Sequence, residues 1–424
     1  MDGLSLLMLG SVVFLLFGIL RESTSPEAMM DFRALYADAR CLLHDRDPYN
    51  RNDVLREYSE AEKAPTTLSA RDLLVIGSNA YPPTEFVLTA PFALLPFKAA
   101  RALWLAVSSA SILAASLLIW NLVAERESAL AGGLIGFYVA CSLSLLYFGN
   151  PGGIAVSLCV IGAACVASER NIALGILCLA LSLAIKPQDT GFVCLLLVLA
   201  GGSYRKNGLR ALGVVSVLGV AAATWMWSVS PHWIEELLGN VQALMAHGSV
   251  NDPTNPLGQG TCTITDLQMV FSVLWDNPKF YNTASYLVCA PLFLAWAIAA
   301  VRKPATRKNL YFGLAAISPM TMLPVYHRQY DAKLILLAVP ACFLLWARRG
   351  RTGRIALVMT AAGMLVTADL PWAFFLAALP RIDSSGGWMA GKTISAVLAV
   401  PTPLVLLAMS GFYLWVYARD REAS

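Results

Sequence analysis

Long apolar runs separated by short polar stretches make up most of the chain. The runs lie at about 4–20, 85–97, 102–123, 129–148, 152–167, 171–185, 189–202, 211–229, 284–301, 309–326, 331–347, 354–377 and 395–417. A membrane-spanning helix needs roughly 20 apolar residues, so several runs are short, and Pro91 and Pro96 interrupt one of them. The pattern predicts an all-α polytopic integral membrane protein with about 11–13 transmembrane helices, some of them broken.

The polar stretches differ in charge, and the difference predicts an orientation. Lys and Arg cluster in four places: Arg205, Lys206 and Arg210; Arg302, Lys303, Arg307 and Lys308; Arg348, Arg349, Arg351 and Arg354; Arg419 and Arg421. The positive-inside rule puts these clusters in the cytoplasm and the mixed-charge loops 21–84, 230–283 and 378–394 outside. If every run between 85 and 202 crossed, however, the basic loop 203–210 would lie outside. One short run is therefore expected to be re-entrant or merged with a neighbour.

The first outer loop has a helical pattern of its own. Between Glu27 and Leu43, the residues Met30, Ala34, Ala37 and Cys41 recur on one helical face. This favours a helix lying in the membrane interface. We expect the chain, residues 1–424, to form a single membrane domain that includes this loop.

Composition agrees with a membrane protein and excludes other classes. Hydrophobic residues make up 57% of the 424 residues and charged ones 14%, against roughly 25% charged in soluble domains, and the mean hydropathy is +0.62. A net charge of +4, with no basic patch interleaved with aromatic residues, predicts no nucleic-acid partner. No positively charged residue precedes Leu4–Leu20, and Ile19-Leu20-Arg21-Glu22 is not a small-residue cleavage site, so we expect an uncleaved first span in a plasma (inner) membrane protein.

The nine cysteines predict no metal site, because no CxxC pair or metal-ligand spacing is present. Most of them lie in apolar runs, where cysteine behaves as a small hydrophobic residue. Only Cys41 and Cys262 lie in polar loops, and a disulfide between them is one possibility that geometry would decide.

Asp31 is the first candidate for chemistry. It follows the first span by about ten residues and opens a long polar loop. A carboxylate at a membrane face is costly unless it has a partner or a role in the chemistry. The alternative is that Asp31 caps the helix Phe32–Leu43, since Asp is a favoured N-cap residue.

Lys186 is the second candidate. It stands between two apolar runs and is followed by Pro187, Gln188 and Asp189. A lysine at such a break can attract a phosphate, and Gln188 is a candidate contact to the substrate beside it. The alternative is a lysine that snorkels to the surface at the end of a span.

A third group lies on the same predicted outer face, within Val325–Asp331. His327 and Asp331 are four residues apart and share a face if the segment is helical. Histidine can relay a proton near neutral pH, and the planar guanidinium of Arg328 can bind phosphate. The alternative is a surface turn with a salt bridge.

Two weaker candidates complete the set. Asn150 lies in the Gly-rich break Gly149–Gly153 and either lines a cavity or caps a helix. Tyr81, before Pro82-Pro83, is a candidate substrate contact or an anchor in an aromatic belt.

In this order and spacing the motifs resemble glycosyltransferase family 87, over about residues 28–335. The family includes bacterial polyprenyl-phosphomannose-dependent mannosyltransferases and belongs to the membrane glycosyltransferases with the C-type fold. The elements that carry the resemblance are Asp31-Phe32, Tyr36, Ala39, Asp47-Pro48-Tyr49, Tyr81-Pro82-Pro83, Pro91–Pro96, Trp104, Gly149-Asn150, Ile185-Lys186-Pro187 and the His327 group.

The resemblance implies a polyprenyl-phosphate sugar as donor, used from the periplasmic or extracellular face. It implies that Asp31 is the general base and that His327 matches the family's late histidine. On this hypothesis Lys186 and Arg328 bind the donor phosphate, and Tyr81, Asn150, Gln188 and Asp331 contact substrate. The breaks near Pro91 and Asn150 are expected to leave a groove for the isoprenoid tail. No cofactor or metal is expected, because the lipid leaves as a monophosphate, without the second phosphate that divalent ions usually bridge.

The sequence departs from the family pattern in two places. Gly258–Cys262 lacks the expected Asn-Gln-Ser stretch, and Asp45-Arg46 replaces the usual Gly before Asp47. Both departures leave open whether the acceptor is a glycolipid, a polysaccharide or a protein. A transporter or lipid flippase, and a structural subunit of an envelope-assembly complex, remain the alternatives. The long first loop and the absence of acids near the centres of the spans count against the transporter.

Overall fold

The computed structural model describes residues 2–25, 28–62, 76, 79–255, 264–369, 371 and 401–420, and its regular elements are all helices. The first half contains α1 (Gly3–Thr24), α2 (Met30–Leu43), α3 (Arg51–Glu62), α4 (Pro83–Ala93), α5 (Phe97–Ala140), α6 (Ser144–Phe148), α7 (Pro151–Ser168), α8 (Ile172–Ile185) and α9 (Pro187–Ala200). The second half contains α10 (Gly202–Val229), α11 (Trp233–Leu244), α12 (Leu267–Leu274), α13 (Pro278–Arg302), α14 (Arg307–Met320), a 3₁₀ helix (Asp331–Ala338), α15 (Val339–Trp346), α16 (Arg351–Val366) and α17 (Pro401–Arg419).

Among these described residues, six helices are long and apolar enough to cross a membrane by themselves: α1, α5, α7, α10, α13 and α17. The all-α, multi-pass class is thereby confirmed. The predicted runs 171–185, 189–202 and 309–326 form helices of 14 residues, and the described part of the run 354–377 lies mainly in a helix of 16 residues, Arg351–Val366. The run 331–347 divides into the 3₁₀ helix and α15, so this part of the bundle is built from short pieces.

The helix α5 merges two predicted spans and reverses direction within them. Its backbone leaves the helical region at Glu127 (φ −153°, ψ 67°). Arg101, before the break, pairs with Glu22 near the end of α1, whereas Ser128, after it, lies against Gly3 at the start of α1. The two halves of α5 are therefore antiparallel, and the second half runs parallel to α1.

Glycine lets α1 and the second half of α5 approach closely. A Cβ added at Gly136 would lie 2.6 Å from the Leu6 carbonyl oxygen and 3.1 Å from the Leu7 Cα. Close backbone approach at small residues is how helices pack in a membrane, where no hydrophobic force drives them together.

The helix α4 resolves the conflict in the predicted orientation, because the run 85–97 does not cross. Before α4, the Tyr81 carbonyl accepts a hydrogen bond of 2.8 Å from the Tyr49 hydroxyl. After α4, the Leu95 carbonyl accepts one of 2.7 Å from the Tyr36 hydroxyl. Tyr36 and Tyr49 both belong to the first outer loop, so the chain enters and leaves α4 against that loop, and α5 begins at the same end of the bundle.

The opposite end gathers basic residues around Asp420. Its carboxylate lies 2.7 Å from the Lys308 Nζ and 3.0 Å from the Arg348 Nη1, and its carbonyl accepts a bond of 2.6 Å from the Lys303 Nζ. Basic clusters that the sequence separates widely therefore meet at one end. The predicted loop 378–394 and Arg421 lie outside the described residues.

The helix α2, which was predicted to lie in the membrane interface, packs its apolar face against protein, and its position relative to the membrane stays a prediction. Ala37 and Cys41 are fully buried and pack with Val54 and Tyr58 of α3. The first outer loop is therefore a small folded layer. Cys262 lies outside the described residues, so its disulfide with Cys41 stays a prediction.

The helix α11 fastens the second outer loop onto this layer. The Asn240 Nδ2 donates to the carbonyls of Tyr49 and Asn79 at 3.1 Å each, and Trp233 stacks on Tyr49 with ring centres 6.3 Å apart. Glu236 lies beside Asp47, which raises the pKa of Glu236 to about 7, first through a shared hydrogen bond and then through burial and charge.

Gly136→Ala is expected to lower the free energy of unfolding by about 1–3 kcal/mol, because the added methyl forces α1 away from α5. Gly133→Ala, three residues earlier, meets only the Leu6 Cδ1 at 3.6 Å. It should be neutral or slightly stabilising, since Ala has the higher helix propensity. Thermal unfolding in detergent measures both, and equal melting temperatures for the two variants would contradict the close approach.

Glu236→Gln is expected to change how stability depends on pH. The folded pKa of Glu236, about 7, exceeds its ordinary value of 4.5, so the folded protein binds this proton more tightly than the unfolded chain. The wild type should therefore lose stability relative to the variant as pH rises from about 4.5 to about 7, and the difference should level off above that. Melting temperatures across this range test it, with exposed Glu235→Gln as control, and a pH-independent difference would contradict the shared proton.

Candidate functional site

The amino end of α7 lies at the centre of the site because of the sequence Gly-Asn-Pro-Gly-Gly. Gly149 adopts a left-handed backbone (φ 63°), and its carbonyl accepts a 2.9 Å hydrogen bond from the Trp104 indole. Asn150 then caps α7 by accepting from the Gly152 N–H at 2.8 Å, and Pro151 occupies the first helical position. Of the two alternatives for Asn150, the structure therefore shows the helix cap.

Asp31 contacts this cap from the first turn of α2. The Asn150 Nδ2 donates to the Asp31 Oδ2 at 2.7 Å. The alternative that Asp31 caps its own helix is wrong: α2 begins at Met30, and its N-cap is Met29, which provides no side-chain cap. Asp31 is half-buried, and the Asn150 amide orients one of its carboxylate oxygens.

Tyr81 completes this half of the site. Its hydroxyl accepts a 3.2 Å hydrogen bond from the Asn150 Nδ2, and its backbone N–H donates to the Asn79 Oδ1 at 2.8 Å. The hydroxyl thus points at the capping amide, beside Asp31. An aromatic-belt anchor would instead direct it to lipid headgroups.

Lys186 forms the second half, at the break between α8 and α9. Its side chain is 7% exposed, and its Nζ donates to the Asp331 Oδ1 and lies 3.6 Å from the Asp189 Oδ2. The ammonium also lies 5.2 Å from the centre of the Tyr330 ring. The snorkelling alternative is wrong, because the charge points into the protein.

His327 adjoins the same acids. Its Nε2 lies 3.1 Å from the Asp189 Oδ1, and its Nδ1 lies 2.8 Å from the Val325 carbonyl, to which it can donate. Burial alone would lower the pKa of His327, but the contact with Asp189 and the charges of Asp189 and Asp331 outweigh burial and raise it. The imidazole is thus held toward its charged form.

The segment around His327 is buried rather than a surface turn. It is not helical before Asp331, so the condition under which His327 and Asp331 would share a helical face is not met. The His327 carbonyl accepts from the Thr265 N–H at 3.0 Å, and the Leu323 carbonyl accepts from the Leu267 N–H at 2.9 Å. Asp331 begins the 3₁₀ helix, and its Oδ2 accepts from the Arg328 N–H at 3.0 Å. Backbone pairing with the second outer loop therefore holds the segment in place.

Glycine brings the two halves together. A Cβ on Gly152 would lie 2.6 Å from the Asp331 Oδ1, 2.8 Å from the Asn150 Oδ1 and 3.0 Å from the Lys186 Nζ. The Asp31–Asn150 pair and the Lys186–Asp331 pair are thus about one side chain apart, and we call the joint arrangement the polar cluster.

Two predicted residues lie at its edge. Arg328 is nearly buried, donates to the Tyr326 hydroxyl, and bonds the Val250 carbonyl at 3.2 Å, so it joins two outer segments. Gln188 is exposed at the start of α9. Phosphate binding by Arg328 and substrate contact by Gln188 stay predictions.

Two acids of the site were not singled out from the sequence. Asp189 follows Lys186 by about one helical turn, a spacing that could have paired them. Asp266 caps α12 by accepting from the Met269 N–H at 3.3 Å and is fully buried. Burial raises the pKa of Asp266 to about 7, although the charge of His327 opposes the rise.

Chemically, the cluster offers one half-exposed carboxylate beside buried cations that are already charge-compensated. Within the residues that the structure describes, no three His, Cys, Asp or Glu side chains are arranged to hold a metal ion. Independence from metal stays a prediction.

The family model described as glycosyltransferase family 87 matches residues 79–324 of this chain, more than half of its length. The match includes Tyr81, Asn150 and Lys186 and ends just before the His327 segment. Neither a curated protein nor a solved structure matches the chain.

Lys186→Met is expected to cost about 3–5 kcal/mol of stability, because Asp189 and Asp331 lose their shared cation while buried. The double variant Lys186→Met/Asp331→Asn should recover part of the loss, since it removes one of the uncompensated charges. Thermal unfolding measures both, with exposed Lys279→Met as control. A Lys186→Met protein as stable as wild type would rule out a compensated ion cluster.

Proposed function

Because this chain belongs to glycosyltransferase family 87 and is a membrane glycosyltransferase, we propose that it transfers a sugar from a polyprenyl-phosphate donor to an acceptor hydroxyl. The observation that carries the proposal is the polar cluster: a half-exposed acid, Asp31, next to the buried cation Lys186, with one glycine between them. A base for the acceptor and a cation for the leaving phosphate are the two groups that this reaction requires.

Asp31 is the general base in this proposal. Asp189 and Asp331 are each 1% exposed and paired with Lys186, so an acceptor could reach them only by breaking that ion pair. Asp31 is half-buried, and the Asn150 amide orients it. A base in hydrogen-bond reach of its acceptor contributes roughly 10²–10⁴-fold.

The reaction balances without a co-reactant. The acceptor hydroxyl gives its proton to Asp31, and its oxygen forms a bond to the anomeric carbon of the sugar. The bond between that carbon and the phosphate oxygen breaks, and its electron pair leaves with the polyprenyl monophosphate. Attack opposite the phosphate inverts the anomeric centre.

Lys186 and His327 stabilise the departing phosphate. The donor phosphodiester carries one negative charge, and a second develops as it becomes a monoester. The positive charges of Lys186 and His327 balance the negative charges of Asp189 and Asp331, so this buried half of the site is nearly neutral and does not repel the donor phosphate. Pre-positioned positive groups stabilise such developing charge at little cost of reorganisation.

The site faces outside the plasma (inner) membrane in this proposal, on the periplasmic or extracellular side. The polar cluster lies at the end of the bundle opposite the basic residues around Asp420, and basic ends stay in the cytoplasm. In this proposal the donor carries a lipid-linked hexose, such as mannose, or a pentose. The acceptor is a glycolipid or glycan at the outer face.

Asp31→Asn is expected to lower transfer from a radiolabelled polyprenyl-phosphate sugar by at least about 100-fold in purified protein, because the acceptor proton has no base. The side-chain oxygen of the new amide can still accept the hydrogen bond from Asn150, and the melting temperature of the variant reports whether the fold is kept. A membrane lipid extract supplies the acceptor.

Asp45→Asn is the matched control, since Asp45 is an exposed acid of the same loop. It should keep wild-type activity. Full activity in Asp31→Asn would exclude Asp31 as the base, and a parallel loss in both variants would point to a general charge effect.

A further inference from the structure

A cavity of about 210 Å³ opens at the basic end of the bundle, opposite the polar cluster. It is lined by Glu127, Trp346, Arg349, Gly350 and Arg354. Glu127 lies at the break in α5, and the other four residues belong to the end of α15, the turn after it and the start of α16. Two arginines and one acid therefore border the same space, and we call it the basic-end cavity.

The charged residues around the basic-end cavity are not paired with one another. Arg348, the neighbour of Arg349, lies 3.0 Å from the Asp420 carboxylate. In the described part of the chain, by contrast, Arg349, Arg354 and Glu127 form no ion pair. The alternative is a solvated basic surface that only follows the positive-inside rule. Such a surface requires neither an acid nor an aromatic ring around a shared cavity, so the lining points to a ligand with charges of both signs.

The backbone holds Arg349 in an uncommon conformation. Its φ of 52° lies in the left-handed region, which residues other than glycine, asparagine and aspartate seldom adopt. The next residue, Gly350, could adopt this conformation at no cost but has a φ of −97°. The Arg349 N–H donates to the Trp346 carbonyl at 2.8 Å and closes the turn. The strain thus falls on a residue that lines the cavity, as at other binding sites where strain is retained.

The surroundings of the basic-end cavity are those of a membrane surface. Trp346 is half-buried at its wall, and tryptophan is enriched where a membrane meets water. Val358 and Leu365 follow Arg354 along the same face of α16 and are 62% and 47% exposed. An uncovered apolar track therefore leads from the cavity into the membrane.

We propose that the basic-end cavity binds the headgroup of a phospholipid that carries both a phosphate and a primary ammonium, as phosphatidylethanolamine does. Arg349 and Arg354 contact the phosphodiester, because the planar guanidinium matches the geometry of phosphate oxygens. Glu127 accepts hydrogen bonds from the ammonium, and the acyl chains lie along Val358 and the residues below it. The site is far from the polar cluster, so this lipid is a bound partner and not a substrate of the transfer reaction.

Lipid binding to the purified protein tests the headgroup. Native mass spectrometry of the wild type, titrated in detergent with phosphatidylethanolamine or phosphatidylglycerol, should show tighter binding of phosphatidylethanolamine. Arg354→Gln should weaken that binding about tenfold, the loss expected for one charge-assisted hydrogen bond. Arg302→Gln is the matched control, because Arg302 is an exposed arginine at the same end of the bundle, on α13. Equal binding by these two variants would overturn the proposed phosphate contact.

Glu127→Gln separates the ammonium contact from a general attraction between basic residues and lipid. It should weaken the binding of phosphatidylethanolamine about tenfold, by the same reasoning, and should not weaken the binding of phosphatidylglycerol, which has no ammonium. Glu125→Gln is the control, because Glu125 is an exposed acid two residues earlier and does not line the cavity. Equal affinity of the wild type for the two lipids would overturn the proposed headgroup.

Soluble anions distinguish a lipid site from a site for free phosphate. Neither phosphoethanolamine nor inorganic phosphate, at the same concentration as the lipid, should displace bound phosphatidylethanolamine, because neither has acyl chains to place along α16. Displacement by either anion would overturn the lipid as the occupant.

Photocrosslinking tests the site in a bilayer and leaves the charged residues intact. A benzophenone amino acid at Val358, in nanodiscs of equal parts phosphatidylethanolamine and phosphatidylglycerol, should label phosphatidylethanolamine in excess. The same group at Leu209 should label the two lipids equally, since Leu209 is 52% exposed and as far from the start of α10 as Val358 is from the start of α16. Equal labelling at Val358 would overturn the proposal.

Discussion

The buried ion pair between Lys186 and Asp331 is the constraint on which the site depends. An ammonium and a carboxylate taken out of water are expensive, and their attraction repays this only with close geometry and further partners. Asp189 supplies a further partner, and the Arg328 N–H satisfies the second oxygen of Asp331. The surrounding backbone must therefore deliver these groups to one point.

That requirement accounts for several breaks in the helices. The chain interrupts α8 and α9 at Lys186, which brings the side chain to a helix end rather than to a lipid-facing flank. It begins a tighter 3₁₀ helix at Asp331, and two residues later Lys333 donates to the Thr367 carbonyl at 2.9 Å. Gly152 lacks the Cβ that would displace both ions. Broken helices are tolerated in membranes where protein buries the break, and here it does.

The residues that form the polar cluster could be predicted from the sequence better than the way in which they pair. Asp31, Asn150, Lys186 and Asp331 each stand out as polar residues beside apolar runs, and the structure brings all four together. Their pairing could not be predicted, because Lys186 and Asp331 are separated by 145 positions and nothing local links them. One short run was expected to be re-entrant or merged, but which run it is could not be predicted for a related reason: hydrophobicity measures whether a segment can enter a membrane, not whether it crosses.

The contrast in exposure between acids explains why a membrane enzyme would keep so many. Asp189, Asp331 and Asp266 are buried, and their charges act on His327 and Lys186. Asp31 is less deeply buried than these three acids, and the Asn150 amide donates to one of its carboxylate oxygens. A hydrogen bond from an amide fixes the direction of that oxygen, which a general base needs in order to meet the acceptor hydroxyl. In the proposed reaction the buried acids therefore set the charge around the cations, whereas Asp31 takes the proton.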